Sequence, residues 1–284
     1  MLELITPEQR RNQIGMLLNH DSMTVIVVEG GSDAGTLTNC ISRDDCRFVV
    51  AGGKTAVLQT LELCDDQGFN GVLGVLDRDF VDMAEQRSSS TNIVYTDDYD
   101  LDAMVFFADG LTTRMVESLC GFENVHHQES TLPLNSVTEY ATGIASVIGT
   151  LRLWVCQNSI ILRTEKFPID QITTPDKCID YTKLCDLAFK RCETESVTET
   201  TILTCLQAAP QAGSGRRRIS QGHDLFRALS HIMKTTWGVA IKAEFIEKAC
   251  RASWTPDHLR RTQLFQEVQD WEKRSQRTVW RLTS

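Results

Sequence analysis

The chain has 284 residues, 42% of them hydrophobic, which is enough to bury the core of one α/β domain and a second region. Its net charge of −9 argues against indiscriminate coating of nucleic acid, and no run of about eighteen apolar residues is present to span a membrane. The ten cysteines are scattered, with no Cys-x-x-Cys pair and no Cys/His grouping at zinc-finger spacing, so reduced thiols are expected rather than a disulfide or zinc framework.

The opening stretch Met1 to Glu8 lacks the basic and apolar regions of a signal peptide, and a cytoplasmic location is expected. Pro7 to Leu18 predicts a short amphipathic helix, with Thr6 as cap and Ile14, Leu17 and Leu18 on its inward side. Thr24 to Val28 is a β-branched run too short for a helix, and it ends in Glu29. Gly30, Gly31, Ser32 and Asp33 then form a tight turn, with Ser32 or Asp33 capping a helix that reaches Ser42. Phe48 to Ala51 predicts a second strand, and Gly52-Gly53 turns the chain so that Lys54 opens a crossover helix to Cys64. Val72 to Leu76 predicts a third strand tipped by Asp77, Arg78 and Asp79. Ile93 to Tyr95 predicts a fourth, followed by the acidic stretch Thr96 to Asp102. This alternation predicts an α/β fold with a doubly wound parallel sheet over residues 1–110.

From Leu111 the pattern turns mainly helical, which predicts a second, mainly α-helical region over 111–284. Val137 to Leu153 is strongly apolar and expected to be buried, while Trp154 to Leu162 and Phe167 to Ile172 fit strand or helix. Cys178, Cys185 and Cys192 recur at sevens, which places them on one helical face. Ala209 to Arg218 predicts a turn-rich loop carrying Arg216, Arg217 and Arg218. Gly222-His223-Asp224 opens a helix to Thr236, and one long helix is expected from Pro256 to Arg274. Residues 1–210 hold 15 Lys+Arg against 31 Asp+Glu, and 211–284 hold 14 against 7, so the charge splits into −16 and +7. A basic face of that kind meets phosphate or an acidic partner protein.

In open parallel sheets ligands bind at the carboxyl ends of the strands. If the first and third strands are neighbours, Glu29, Asp77 and Asp79 converge there, and clustered hard oxygen donors suit Mg²⁺ or Mn²⁺. Taken singly, each acid is more simply read as a helix cap or a solvated loop end. Lys54 at the second strand end could neutralise a phosphate, although the Gly-x-x-x-x-Gly-Lys-Ser/Thr spacing of a P-loop is absent. Within the acidic stretch, Asp98 and Asp100 are the candidates for completing a metal site, against the plainer reading of an acidic loop.

The Glu-Gly pair after the first strand and the Asp-x-Asp after the third resemble the TOPRIM domain of topoisomerases, primases and OLD-family nucleases. The order Val28-Glu29-Gly30-x-Ser32-Asp33, Ala51-Gly52-Gly53-Lys54, Leu76-Asp77-Arg78-Asp79, Tyr95 to Asp102 and Gly222-His223-Asp224-Leu225 more closely resembles a TOPRIM-related bacterial family that includes the AriB effectors of PARIS anti-phage systems. The resemblance implies a Mg²⁺-dependent endonuclease acting as a toxin, with Glu29, Lys54, Asp77 and Asp79 catalytic and Glu29, Asp33, Asp77, Asp79, Asp98 and Asp100 about the metal. It further implies cleavage of host tRNA after release from an ABC-type ATPase partner and homodimerisation on release; no membrane partner is expected, since no apolar run is long enough to span one. Arg216, Arg217, Arg218 and His223 are the expected contacts to nucleic acid or partner. The alternative is a catalytically silent TOPRIM-like scaffold that binds an ATPase partner or nucleic acid through its basic last part.

Overall fold

A computed structural model describes residues 5–19, 23–127, 132–174, 178–208 and 213–281. Where the sequence suggests one boundary after residue 110, the chain folds as two compact units. One, the sheet unit, comprises Met1–Arg78, Arg87–Asp97 and Trp254–Ser284; the other, the helical unit, comprises Asp79–Gln86 and Asp98–Ser253. Among the described residues no helix is long and apolar enough to cross a membrane.

The sheet unit holds four parallel strands, β1 (Thr24–Val28), β2 (Cys46–Val50), β3 (Val72–Leu76) and β4 (Ile93–Tyr95), in the order β2-β1-β3-β4. Every residue of β1 and β3 is buried, as expected of central strands covered on both faces, whereas β2 alternates as a half-exposed edge. The chain steps from β1 to β2 in one direction and then back past β1 to β3. With right-handed crossovers, that reversal puts the helices Gly31–Leu37 and Lys54–Asp66 on opposite faces and opens a crevice at the carboxyl ends of β1 and β3.

The helix Pro7–Leu18 starts at a Thr6–Gln9 capping box and packs against Lys54–Asp66. It buries Ile14, as its pattern predicts, but also Arg10. The expected helix from Ser32 to Ser42 is shorter, Gly31–Leu37, with Gly30 as its cap and Asp33 reaching back to the Gly30 N–H.

The C-terminal residues of the sheet unit do not form one helix from Pro256. Pro256–Leu259 stops, and Thr262 caps a new helix, Gln263–Ser275, by accepting from the Phe265 N–H. That helix packs against β4, and Trp271 Nε1 donates to Asn92 Oδ1 over 2.9 Å. Beyond it, Glu272 Oε1 accepts the N–H groups of Val279 and Trp280, and Trp280 bridges to Ile41.

The helical unit is organised on Val137–Asn158 and Gly222–Trp237, which pack together. Leu225, Phe226, Ala228, Leu229, Ile232 and Met233 recur at helical spacing and are all fully buried. Phe226 meets Phe106 of the helix Leu101–Phe106 edge to face at 5.4 Å. Gly222 makes this approach possible, because a Cβ there would lie 2.3 Å from Asp102 Cβ and 2.7 Å from Asp100 Oδ1.

Trp154 to Asn158 is helical, and the ambiguous stretch beyond it resolves into a helical turn Ile169–Ile172 and two isolated bridges, Leu162 with Cys192 and Thr173 with Ile179. The three cysteines spaced at sevens do not share a helix. Asp180 caps the helix Tyr181–Lys190, which leaves Cys178 before it and Cys192 after it, with only Cys185 on its buried side. His126 and His127 end the helix Phe122–His127, and His126 pairs with Glu117 at 3.0 Å.

Candidate functional site

The condition set by the sequence is met in the sheet unit. β1 and β3 are direct neighbours, with Val28 paired to Val75, and one residue further on the Asp77 N–H donates to Glu29 Oε1 over 3.1 Å. The Glu29 carbonyl accepts from Gly52 and Gly53, at 2.9 and 3.1 Å. Those glycines take φ of 87° and 130°, values that side-chain-bearing residues rarely adopt, so the turn after β2 folds back onto the tip of β1. It delivers Lys54 at the start of its helix, with Nζ 3.5 Å from the Arg78 carbonyl.

Arg78 itself is buried and grips the end of β4, its N–H donating to Thr96 Oγ1 and its Nε to the Thr96 carbonyl. Asp33 Oδ2 accepts the Gly30 N–H at 2.8 Å, holding the glycine turn beyond Glu29. The sheet unit therefore gathers Glu29, Asp33, Lys54 and Asp77 at one edge, all half-buried. Asp79 opens the helical unit, where it adopts a left-handed backbone, φ 47°, and its N–H donates to the Tyr99 carbonyl at 2.7 Å. Tyr99 is buried and packs edge to face on Phe80, with ring centroids 5.2 Å apart.

The acids from 97 to 102 each have a distinct partner. Within the sheet unit, Asp97 receives the N–H groups of Gln263 and Leu264, both at 2.7 Å, and so caps the helix Gln263–Ser275. Within the helical unit, Asp98 takes a two-point ion pair from Arg217 at 2.9 and 2.7 Å, and Arg217 also lies over the Phe107 ring at 4.4 Å. Asp100 caps Leu101–Phe106 through the Ala103 N–H and accepts the Gly222 N–H at 3.0 Å. Burial, with Asp102 beside it, pushes the Asp100 carboxyl up to about 8.

Arg216, Arg217 and Arg218 do not ride on a loop: they occupy the helix Ser214–Ile219, and residues 209–212 of the expected loop lie outside the described residues. Arg217 is committed to Asp98, with its side chain 44% exposed.

His223 enters a cluster that the sequence gives only in part. Its Nδ1 lies 2.6 Å from Glu247 Oε2, Arg251 bonds both Glu247 and Asp102, and Glu247 is 5% exposed. The bond to Glu247 raises the affinity of the imidazole for its proton. Asp102, His223 and Glu247 offer ligand atoms within 4.8 Å of one another, the spacing of a metal group. Arg251 already bridges the two carboxylates where a cation would sit, so the cluster is an ion-paired junction of three helices. A signal for it exists in the sequence: Glu247 stands between Ile246 and Cys250 on the apolar stripe of Ala243–Ser253, with Arg251 four residues on.

No protein-family model matches the chain, and no curated protein matches it.

Proposed function

We propose that the chain is a metal-dependent nuclease of the TOPRIM type. The observation that carries this reading is the bond between Glu29 and the Asp77 N–H at the point where the strand order reverses, with Lys54 delivered to the same edge. Half-buried carboxylate oxygens with access to water form a donor set suited to Mg²⁺ or Mn²⁺. When bound there, such an ion supplies a Lewis acid and lowers the pKa of its water. Glu29 and Asp77, joined at the tips of β1 and β3, would hold it.

The rest of the work falls to the protein's own groups. Asp77 N–H orients Glu29 as a ligand or proton acceptor, and the Lys54 ammonium offsets charge developing on a phosphate oxygen. By the sequence resemblance, the substrate proposed is RNA, tRNA foremost, and the setting a toxin restrained by an ABC-type ATPase until release as a homodimer.

The test is cleavage of total tRNA by the purified chain in Mg²⁺ or Mn²⁺, compared with Glu29→Gln and Asp77→Asn. Cleavage in the wild type and its loss in both variants, with folding retained, is the expected result. Equal cleavage by all three overturns the role of Glu29 and Asp77, and no cleavage together with a Mn²⁺-induced rise in Tm that survives both substitutions overturns the reading in favour of a silent scaffold.

A further inference from the structure

Arg10 is the least expected residue of the sheet unit. It sits on the inward face of Pro7–Leu18, is only 7% exposed, and leaves its Nε buried without a hydrogen-bond partner among the described residues. No ion pair or side-chain hydrogen bond joins its guanidinium to any described residue. A largely buried guanidinium with no carboxylate paired to it is costly to hold, and an anion bound beside it some of the time would offset that cost.

The direction of the side chain says where. Arg10 Nη2 reaches the turn after β2, 3.9 Å from where a Cβ of Gly52 would stand. That turn is the N-terminus of the thirteen-residue helix Lys54–Asp66, whose cap residue Gly53 offers no side chain and whose first turn has no acid. The first N–H groups of a helix have no partner within it and carry its positive end. Lys54 adds an ammonium at the same place. Two glycines with left-handed φ keep side chains out of the approach.

We propose that Arg10, Lys54 and the N-terminus of Lys54–Asp66 form a phosphoryl-binding site at the end of β2. The site deepens the nuclease reading, since it would seat a phosphate of the substrate beside Glu29 and Asp77, but it binds its ligand without metal or cleavage. A phosphodiester of a nucleic-acid backbone and a terminal phosphate share this chemistry.

The experiment is thermal unfolding of the whole chain in EDTA, at matched ionic strength, with inorganic phosphate, with a 5′-phosphorylated RNA oligonucleotide, and with the same oligonucleotide lacking that phosphate. About 10 mM phosphate is expected to raise the Tm of the wild type by about 2–4 °C. In Arg10→Met the rise is lost, while the Tm without ligand equals or exceeds that of the wild type, because the buried charge is gone. An equal response to both oligonucleotides assigns the site to backbone diesters, and a response to the phosphorylated one alone assigns it to terminal phosphate. Either supports the site. No rise in the wild type, an equal rise in Arg10→Met, or an Arg10→Met protein clearly less stable than wild type overturns it. Glu29→Gln separates the two readings: it abolishes metal-dependent cleavage if the nuclease reading holds, and it keeps the phosphate response if the site holds.

Discussion

Asp77 donates its backbone N–H to the carboxylate of Glu29 across 3.1 Å, so residues 48 positions apart in the chain set one another's orientation. Glu29→Gln keeps an acceptor for that N–H and removes the charge. The folded state should survive, with Tm in EDTA close to wild type, while stabilisation by Mn²⁺ disappears. Metal-dependent cleavage should fall by about 100-fold or more, since loss of a ligand costs at least what loss of its supporting contacts does. Calorimetry with and without Mn²⁺ reads both, and an unchanged Mn²⁺ response in the variant would count against Glu29 as a ligand.

Asp97 caps a helix whose first residue lies 166 positions away. Asp97→Ala strips acceptors from two N–H groups and should cost about 1–2 kcal/mol, with the Mn²⁺ response intact. Denaturant titration is the check. Loss of the metal response with little loss of stability would instead make Asp97 part of a metal site.

The Asp98–Arg217 pair is two-pointed but partly exposed, which limits its worth through solvent screening. A double-mutant cycle with Asp98→Asn and Arg217→Met should give a coupling of about 1 kcal/mol or less. The same Asp98→Asn protein should retain its response to Mn²⁺. A lost response would return Asp98 to the metal-binding role.

Asp100 and His223 both hold a proton more tightly in the folded chain than in the unfolded one, Asp100 through burial and His223 through its bond to Glu247. The folded state therefore binds more protons than the unfolded state, so the stability these groups contribute is full below their unfolded pKa values and is lost as pH rises through the folded ones. For Asp100 the window runs from its ordinary value of 3.8 up to about 8, and for His223 it begins at 6.5 and extends upward. Unfolding free energy should fall across that span in the wild type and fall less in Asp100→Asn. A steeper decline in Asp100→Asn than in the wild type would contradict the assignment.

Arg251 is the cation between Asp102 and Glu247. Arg251→Met leaves two largely buried carboxylates facing each other and should cost about 3–5 kcal/mol. Pairing it with Glu247→Gln should recover part of that loss. No recovery would mean that Arg251 acts mainly through packing.

Strands were legible because each is a short β-branched run closed by turn residues, and their acidic tips could be read as converging once β1 and β3 were taken as neighbours. Glu29, Asp77 and Lys54 gather for that reason. The acids after β4 were not legible, because their partners lie far off in the chain: Arg217, Gly222 and Arg251 for Asp98, Asp100 and Asp102, and the start of Gln263–Ser275 for Asp97. A local pattern of four aspartates looks the same whether they bind a metal or answer four distant groups. The inward position of Arg10 is hidden in the sequence for a related reason. A charged residue among Ile14, Leu17 and Leu18 gives no sign that it faces inward until the helix is docked on Lys54–Asp66.

The return of Trp254 and the residues after it to the sheet unit has a consequence for synthesis. A chain made from its N-terminus carries β1 to β4 early, but the helix that covers β4 and the cap partner of Asp97 emerge only after the whole helical unit has been translated. The sheet therefore stays uncovered at β4 until Gln263–Ser275 has been made, and a product truncated before that helix is released with that side of the sheet bare.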